Sequence, residues 1–134
     1  MLIVALVLFV LALVVAGVAV AGLTGRLPRN RWAGVRTAEA LRDEETFALA
    51  NKVAAPSQLG AAGLLVLGGV GALTLDTVPG LIAVVGAGIA AFFTAGVGGS
   101  IGARVAAASA PAETAGCGTS CGACSLRGAC EPTA

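Results

Sequence analysis

Charge is scarce in this sequence and histidine is missing altogether. Of 134 residues 15 are charged, or 11%, and no cysteine occurs before position 117. An ordinary soluble domain carries about 25% charged residues. A chain this short and this poor in charge cannot hide its apolar surface by folding in water, which excludes a soluble globular protein. The same composition excludes a disordered chain. Without histidine, no imidazole can serve as acid, base or metal ligand. The net charge of +1 gives no reason to expect a nucleic-acid partner. No nucleophile stands beside a base, no glycine loop is shaped to cradle phosphate, and no carboxylate pair lies in an apolar run. The sequence therefore offers no catalytic set, and a non-enzymatic role is expected. What it has in abundance is apolar: 57% hydrophobic residues and 20 glycines.

Three uncharged runs organise that surplus. Leu2–Leu23 is long enough to cross a hydrocarbon core of about 30 Å at about 1.5 Å per residue. Residues 57–75 and 79–101 form two more spans. The short link Asp76-Thr77-Val78 forces these two into a tight helical hairpin, with Pro79 in the first turn of the third helix, where its missing N–H is not needed. Ala19-Val20-Ala21 resembles a signal-peptide cleavage site. However, no basic segment precedes the run, and it exceeds the usual length, so a retained membrane helix is expected. The expectation is an all-α membrane protein with three transmembrane helices.

Orientation is read from Lys and Arg. Arg26, Arg29, Arg31, Arg36, Arg42 and Lys52 lie between spans one and two, none lies between spans two and three, and Arg104 and Arg127 follow span three. This places the loop and the C-terminal tail in the cytoplasm and the N-terminus outside. Small residues recur every four positions in span three, at Ala83, Ala87, Ala91, Ala95 and Gly99 and on to Ala103 and Ala107. Such a row allows close helix approach in lipid, and Gly68 and Ala72 of span two offer a matching surface.

The loop from 24 to 55 holds ten of the fifteen charges. Its first part has turn formers and no helical period. Pro28 holds Leu27 extended, and Gly34 permits a positive φ. Trp32 suits the membrane interface, and the arginines suit lipid phosphates. Its second part reads as a short amphipathic helix, lying at the membrane interface or leading into span two. Asp43 is its N-cap, Glu44 and Glu45 fill the first turn, and Phe47, Ala50 and Ala54 form the apolar side. Pro56 marks a kink or a fresh start before span two.

The run Pro28-Arg29-Asn30-Arg31-Trp32-Ala33-Gly34-Val35-Arg36-Thr37, followed by Leu41, Asp43-Glu44-Glu45, Phe47 and Asn51-Lys52, resembles the signature of the SdpI family of bacterial membrane proteins. That signature has an Asn, an aromatic residue and a Gly-hydrophobic-Arg-Thr run. A second aromatic residue follows, then His or Asn with a basic residue, all between two transmembrane helices. The resemblance covers roughly residues 5–100, and its specific part is Pro28–Lys52. Phe47 stands where the family usually has Trp, Asn51 where His is common, and Pro56 near a frequent Gly. The resemblance implies a bacterial cytoplasmic-membrane protein with a role in immunity to, or signalling of, a membrane-active toxic peptide. It singles out Asn30, Trp32, Gly34, Arg36, Thr37, Phe47, Asn51 and Lys52 as an interaction motif. On the residues alone two readings stand. In one, the motif fixes a tight re-entry of the chain and caps a helix. In the other, it is a docking surface for a peptide, a lipid headgroup or a cytoplasmic regulator.

From residue 108 the sequence reads as a flexible tail distinct from the module of residues 1–107. Cys117, Cys121, Cys124 and Cys130 follow a C-x3-C-x2-C-x5-C spacing. Three chemistries compete for them: a zinc or iron–sulfur site, a pair of disulfides, or free and redox-active thiols. The family resemblance does not reach this tail. An alternative to the immunity reading is a small accessory subunit of a larger membrane complex, docked through the row of small residues and carrying a metal on its tail.

Overall fold

A helix that must satisfy its own backbone in lipid can tolerate glycine and alanine throughout, and this chain uses them to bring three helices together. The computed structural model describes residues 1–30 and 32–109. Helix α1 spans Leu2–Leu23, α2 spans Glu44–Thr74 and α3 spans Thr77–Ala108; among the described residues there are no strands. All three are long and apolar enough to cross a membrane. They run antiparallel in sequence order, and α2 is central, packed against both others.

The central position of α2 is written in its buried residues. They come in adjacent pairs: Thr46–Phe47, Ala50–Asn51, Ala54–Ala55, Ala61–Ala62 and Gly68–Gly69. Neighbours on a helix point about 100° apart. One member of each pair can therefore face α1 and the other α3. At Gly69 a Cβ would lie 2.8 Å from Cε1 of Phe9 on α1, and at Gly68 a Cβ would lie 2.7 Å from the Ala87 Cβ on α3. On α1 the buried residues are Ala5, Leu8, Ala12, Ala19 and Gly22. Without a hydrophobic drive between helices in lipid, such close approach is the main source of association.

The face α3 turns toward α2 departs from the every-fourth-residue row. Its buried residues are Gly80, Ala91, Gly98, Gly102 and Ala106. Ala83 and Ala87 approach Gly71 and Gly68, so the row holds at the hairpin end. Further along, Gly98 presses on Ser57 and the Ala54 carbonyl, whereas a Cβ on Gly99 would meet no described atom within 4 Å. The cause is geometric: with about 3.6 residues per turn, a strict spacing of four drifts about 40° at each step. By Ala107 the row has rotated to the exposed side.

The amphipathic turns expected before span two lead directly into it and form no separate helix. Residues from Glu44 to Thr74 are one continuous helix that passes through Pro56. Pro56 withholds only the hydrogen bond that would have reached the Lys52 carbonyl. Its ring is exposed, and Ala54, Ala55 and Ser57 on either side are held by packing, so the helix tolerates the loss. Span three likewise begins at Thr77 and runs on to Ala108.

Length then creates a distinct region. At about 1.5 Å per residue, α1 is about 33 Å long, and α2 and α3 are about 47 Å each. Phe9, seven residues from the start of α1, meets Gly69, five residues from the end of α2, so the helices end nearly level at the hairpin. The first turns of α2 and the last turns of α3 therefore overhang the end of α1. The loop from α1 to α2 folds onto this overhang. Val35, Ala40, Ala50, Ala54 and Ala106 form a small buried core there, with Ala103 against it.

Candidate functional site at the loop end

The loop leaves α1 through a glycine turn. Gly25 takes φ +68°, the Arg26 N–H donates to the Ala21 carbonyl at 2.9 Å, and the Gly25 N–H donates to Gly22 at 3.3 Å. These bonds satisfy the carbonyls left open at a helix end. Asn30 then closes a tight turn. Its Oδ1 accepts from the Trp32 and Ala33 N–H groups, both at 2.8 Å, and its Nδ2 donates to the Pro28 carbonyl at 2.7 Å. This is the local side-chain bonding that suits Asn to turns.

Asn51 is the point where the loop meets the helices. It is buried, on α2. Its Oδ1 accepts from the Val35 N–H at 2.7 Å, and its Nδ2 donates to the Phe47 carbonyl at 2.8 Å. Gly34, at φ +88°, is pressed against the Asn51 side chain; a Cβ there would lie 2.8 Å from Cγ. On the other side, Gly22 brings α1 to within 3.3 Å of the same residue, measured from its built Cβ. One amide thus joins α1, the loop and α2. On α3, Gly102 lies against the Ala50 carbonyl and the Val35 side chain. Phe47, one turn before Asn51, is the largest fully buried side chain.

The rest of the loop is braced from within. The Ala40 N–H donates to Thr37 Oγ1 at 3.2 Å, starting a turn. The Arg29 guanidinium donates to the Leu41 and Arg42 carbonyls, both at 3.1 Å. Asp43 caps α2: Oδ1 accepts from the Thr46 N–H at 2.7 Å and Oδ2 from the Thr46 hydroxyl at 2.9 Å. The Thr46 backbone bond first, then its hydroxyl and then Arg42, hold the Asp43 carboxyl below the usual carboxylate range, outweighing a small opposing effect of burial. Arg42 pairs with Asp43 at 3.2 Å and reaches the Ser109 carbonyl at 3.4 Å, tying the end of α3 to the cap.

The eight motif residues thus divide into two groups. Asn30, Gly34, Thr37, Phe47 and Asn51 are bound into the structure of the cap. Trp32, Arg36 and Lys52 are exposed, Trp32 at 91%. Of the three, Arg36 lines an open groove of about 830 Å³, together with Gly34, Val35, Thr37, Ala38 and Leu41 from the loop and Gly99 from α3. Gly99 therefore borders this groove instead of the α2–α3 contact, while Ala95 is half-buried. Ala40 and Ala106 carry no local signal in the sequence, and Arg29, which suits a lipid phosphate there, is instead spent on carbonyls of the folded loop. Among the described residues no group of three or more Cys, Asp or Glu could hold a metal. Cys117, Cys121, Cys124 and Cys130 lie outside the described residues, as does Arg31.

Three membrane-length helices, with the polar residues gathered in one cap, define a multi-pass helical membrane protein. The family model described as the SdpI/YfhL protein family matches residues 26–97, more than half of the chain, and the protein belongs to that family. The matched stretch contains the loop from Arg26 onward, all of α2 and most of α3. It is not a known enzyme family. Comparison with curated proteins and with solved structures found no match.

Proposed function

We propose that this protein acts, without catalysis, in the bacterial cytoplasmic membrane in immunity to, or signalling of, a membrane-active toxic peptide. The observation that carries the reading is the division of the motif. Five of its residues hold the cap in shape, Arg36 lines an open groove on it, and Trp32 stands exposed two residues before Gly34. A recognition surface needs such fixed side chains, because ordering a loose loop on binding weakens affinity. The positive residues of the loop support a topology with this end in the cytoplasm and the N-terminus outside. There the groove could meet a segment of the peptide inserted in the bilayer, or a cytoplasmic regulator that reports it.

The test is sensitivity of cells to co-produced and envelope-active peptides. Deletion of the gene is expected to sensitise cells to at least one. Trp32→Ala and Arg36→Ala are expected to do the same at unchanged protein level. Unchanged sensitivity to every peptide would overturn the proposal. Stoichiometric purification with a large membrane complex in mild detergent would instead favour an accessory subunit.

A further inference from the structure

The cations of the cap do not all do the same work. Arg29 and Arg42 are spent on carbonyls and Asp43 within the cap. Arg26, Lys52 and Arg104 are exposed and make no hydrogen bond or ion pair among the described residues. Each belongs to a different helix. Arg26 follows the end of α1, Lys52 lies on α2 next to Asn51, and Arg104 lies on α3 two residues after Gly102. Gly22 and Asn51 touch, and Gly102 lies against Ala50, so these contacts mark one level across the bundle. The three cations are all within about one helical turn of that level. It is also where the apolar run of α1 stops, and so where the hydrocarbon core must end.

Trp32 lies in the loop close in sequence to this level. Its turn is three residues from Val35, whose N–H is bonded to Asn51. The ring is 91% exposed, although it is the only tryptophan in the chain. The acids are placed differently. Glu44 and Glu45 lie about 9 Å further out along α2, on the side away from the hydrocarbon. Glu39 and Asp43 lie in the loop just before them. Cations nearest the lipid, acids beyond them and an indole between suit a surface of phosphate headgroups.

We infer that Arg26, Lys52, Arg104 and Trp32 form a collar that binds the headgroups of anionic phospholipids in the adjoining leaflet. The occupant is the bilayer itself, because the three cations stand where the apolar run of α1 stops, the depth where headgroups lie. The inference assigns the Trp32 ring to the bilayer and leaves the groove, lined by Arg36, to any peptide or regulator.

The single tryptophan makes this measurable. The full chain is reconstituted in vesicles of phosphatidylcholine and phosphatidylglycerol, with bromine on the chains of one lipid or the other at equal mole fraction. Trp32 emission is expected to be blue-shifted from its value in water, and to be quenched more by brominated phosphatidylglycerol than by brominated phosphatidylcholine. In the triple variant Arg26→Gln, Lys52→Gln, Arg104→Gln, that preference is expected to fall by roughly fivefold per charge removed. Helix content by circular dichroism should stay the same. The single variant Arg26→Gln, at a loop position, covers the case in which the triple variant fails to fold. It is expected to lose about one such step. Emission as in water with no quenching by either lipid overturns the proposal and leaves Trp32 to a protein partner. Equal quenching by the two lipids in the native chain, or a preference that survives neutralisation, overturns it as well. Addition of inorganic phosphate is expected to leave the emission unchanged, since the collar recognises phosphate only as part of a bilayer. A shift on that addition overturns the assignment to lipid.

Discussion

At one end of the bundle Leu75 and Asp76 turn the chain from α2 into α3, and little else is there. Asp76 makes no side-chain capping bond. At the other end residues 24–43 and the overhanging turns of α2 and α3 form a cap with its own buried core. The hairpin end is held by main-chain geometry and by the close approach of Gly71 to Ala83. The cap end is held by side-chain amides, a carboxylate and a guanidinium, each with named partners. The difference shows where this protein invests its polar residues. Crossing the membrane needs only small and apolar ones. The specific hydrogen bonds are kept for a structure that presents Trp32 and Arg36.

Substitutions that attack the cap should therefore matter far more than matched ones elsewhere. The largest effect is expected from Gly34→Val. The residue would have to hold φ +88° and share space with the Asn51 amide. Backbone strain alone is worth about 1–3 kcal/mol, so about 3 kcal/mol or more is expected once the overlap is added. Thermal unfolding in detergent reads this out. Gly86→Ala, where a Cβ would meet no described atom within 4 Å, should not lower the melting temperature.

Asn51→Leu comes next. It strips the Val35 N–H of its acceptor in a buried place. An unmet buried donor costs about 1–3 kcal/mol. Hydrogen exchange should show the loop opening while the transmembrane turns of α2 and α3 stay protected. Equal loss of protection at both ends would erase the distinction drawn between them.

Asp43→Ala removes the side-chain cap of α2 and is expected to lower the melting temperature by less than Asn51→Leu does. Acid should imitate it. The Asp43 pKa is lowered on folding, so its contribution is complete above the unfolded carboxylate value and is lost as pH falls through the lower folded value. The Asp43→Ala variant should lack this part of the acid sensitivity. The smallest effect is expected from Asp76→Asn at the hairpin end, within about 0.5 kcal/mol, since no side-chain bond is lost.

Much of this was legible in the residues. The first span matches α1, because an uncharged run bounded by polar residues leaves little freedom. Asp43 followed by two acids marked the start of a helix, and α2 starts there. Continuity through Pro56 was not legible. It depends on packing around Ala54 and Ser57, which a local rule for proline cannot include. The register of α3 was missed for a related reason: a row of every fourth residue looks like one face on paper but winds around a real helix. In the loop, Asn30 and Gly34 could be assigned to turns from local chemistry. That Asn51 joins α1, the loop and α2 needed the folded path, since Val35 and Asn51 are 16 residues apart. The family pattern marked these positions as a group, and the structure separates those that brace from those that are presented.

The central claim is that the cap, and Trp32 and Arg36 upon it, is the working end of the molecule. It is tested most directly by peptide challenge of cells carrying either Trp32→Ala with Arg36→Ala or Asp76→Asn, at matched protein levels in the membrane. The account predicts loss of protection with the first and full protection with the second. Equal protection by both variants, or loss confined to Asp76→Asn, would contradict it.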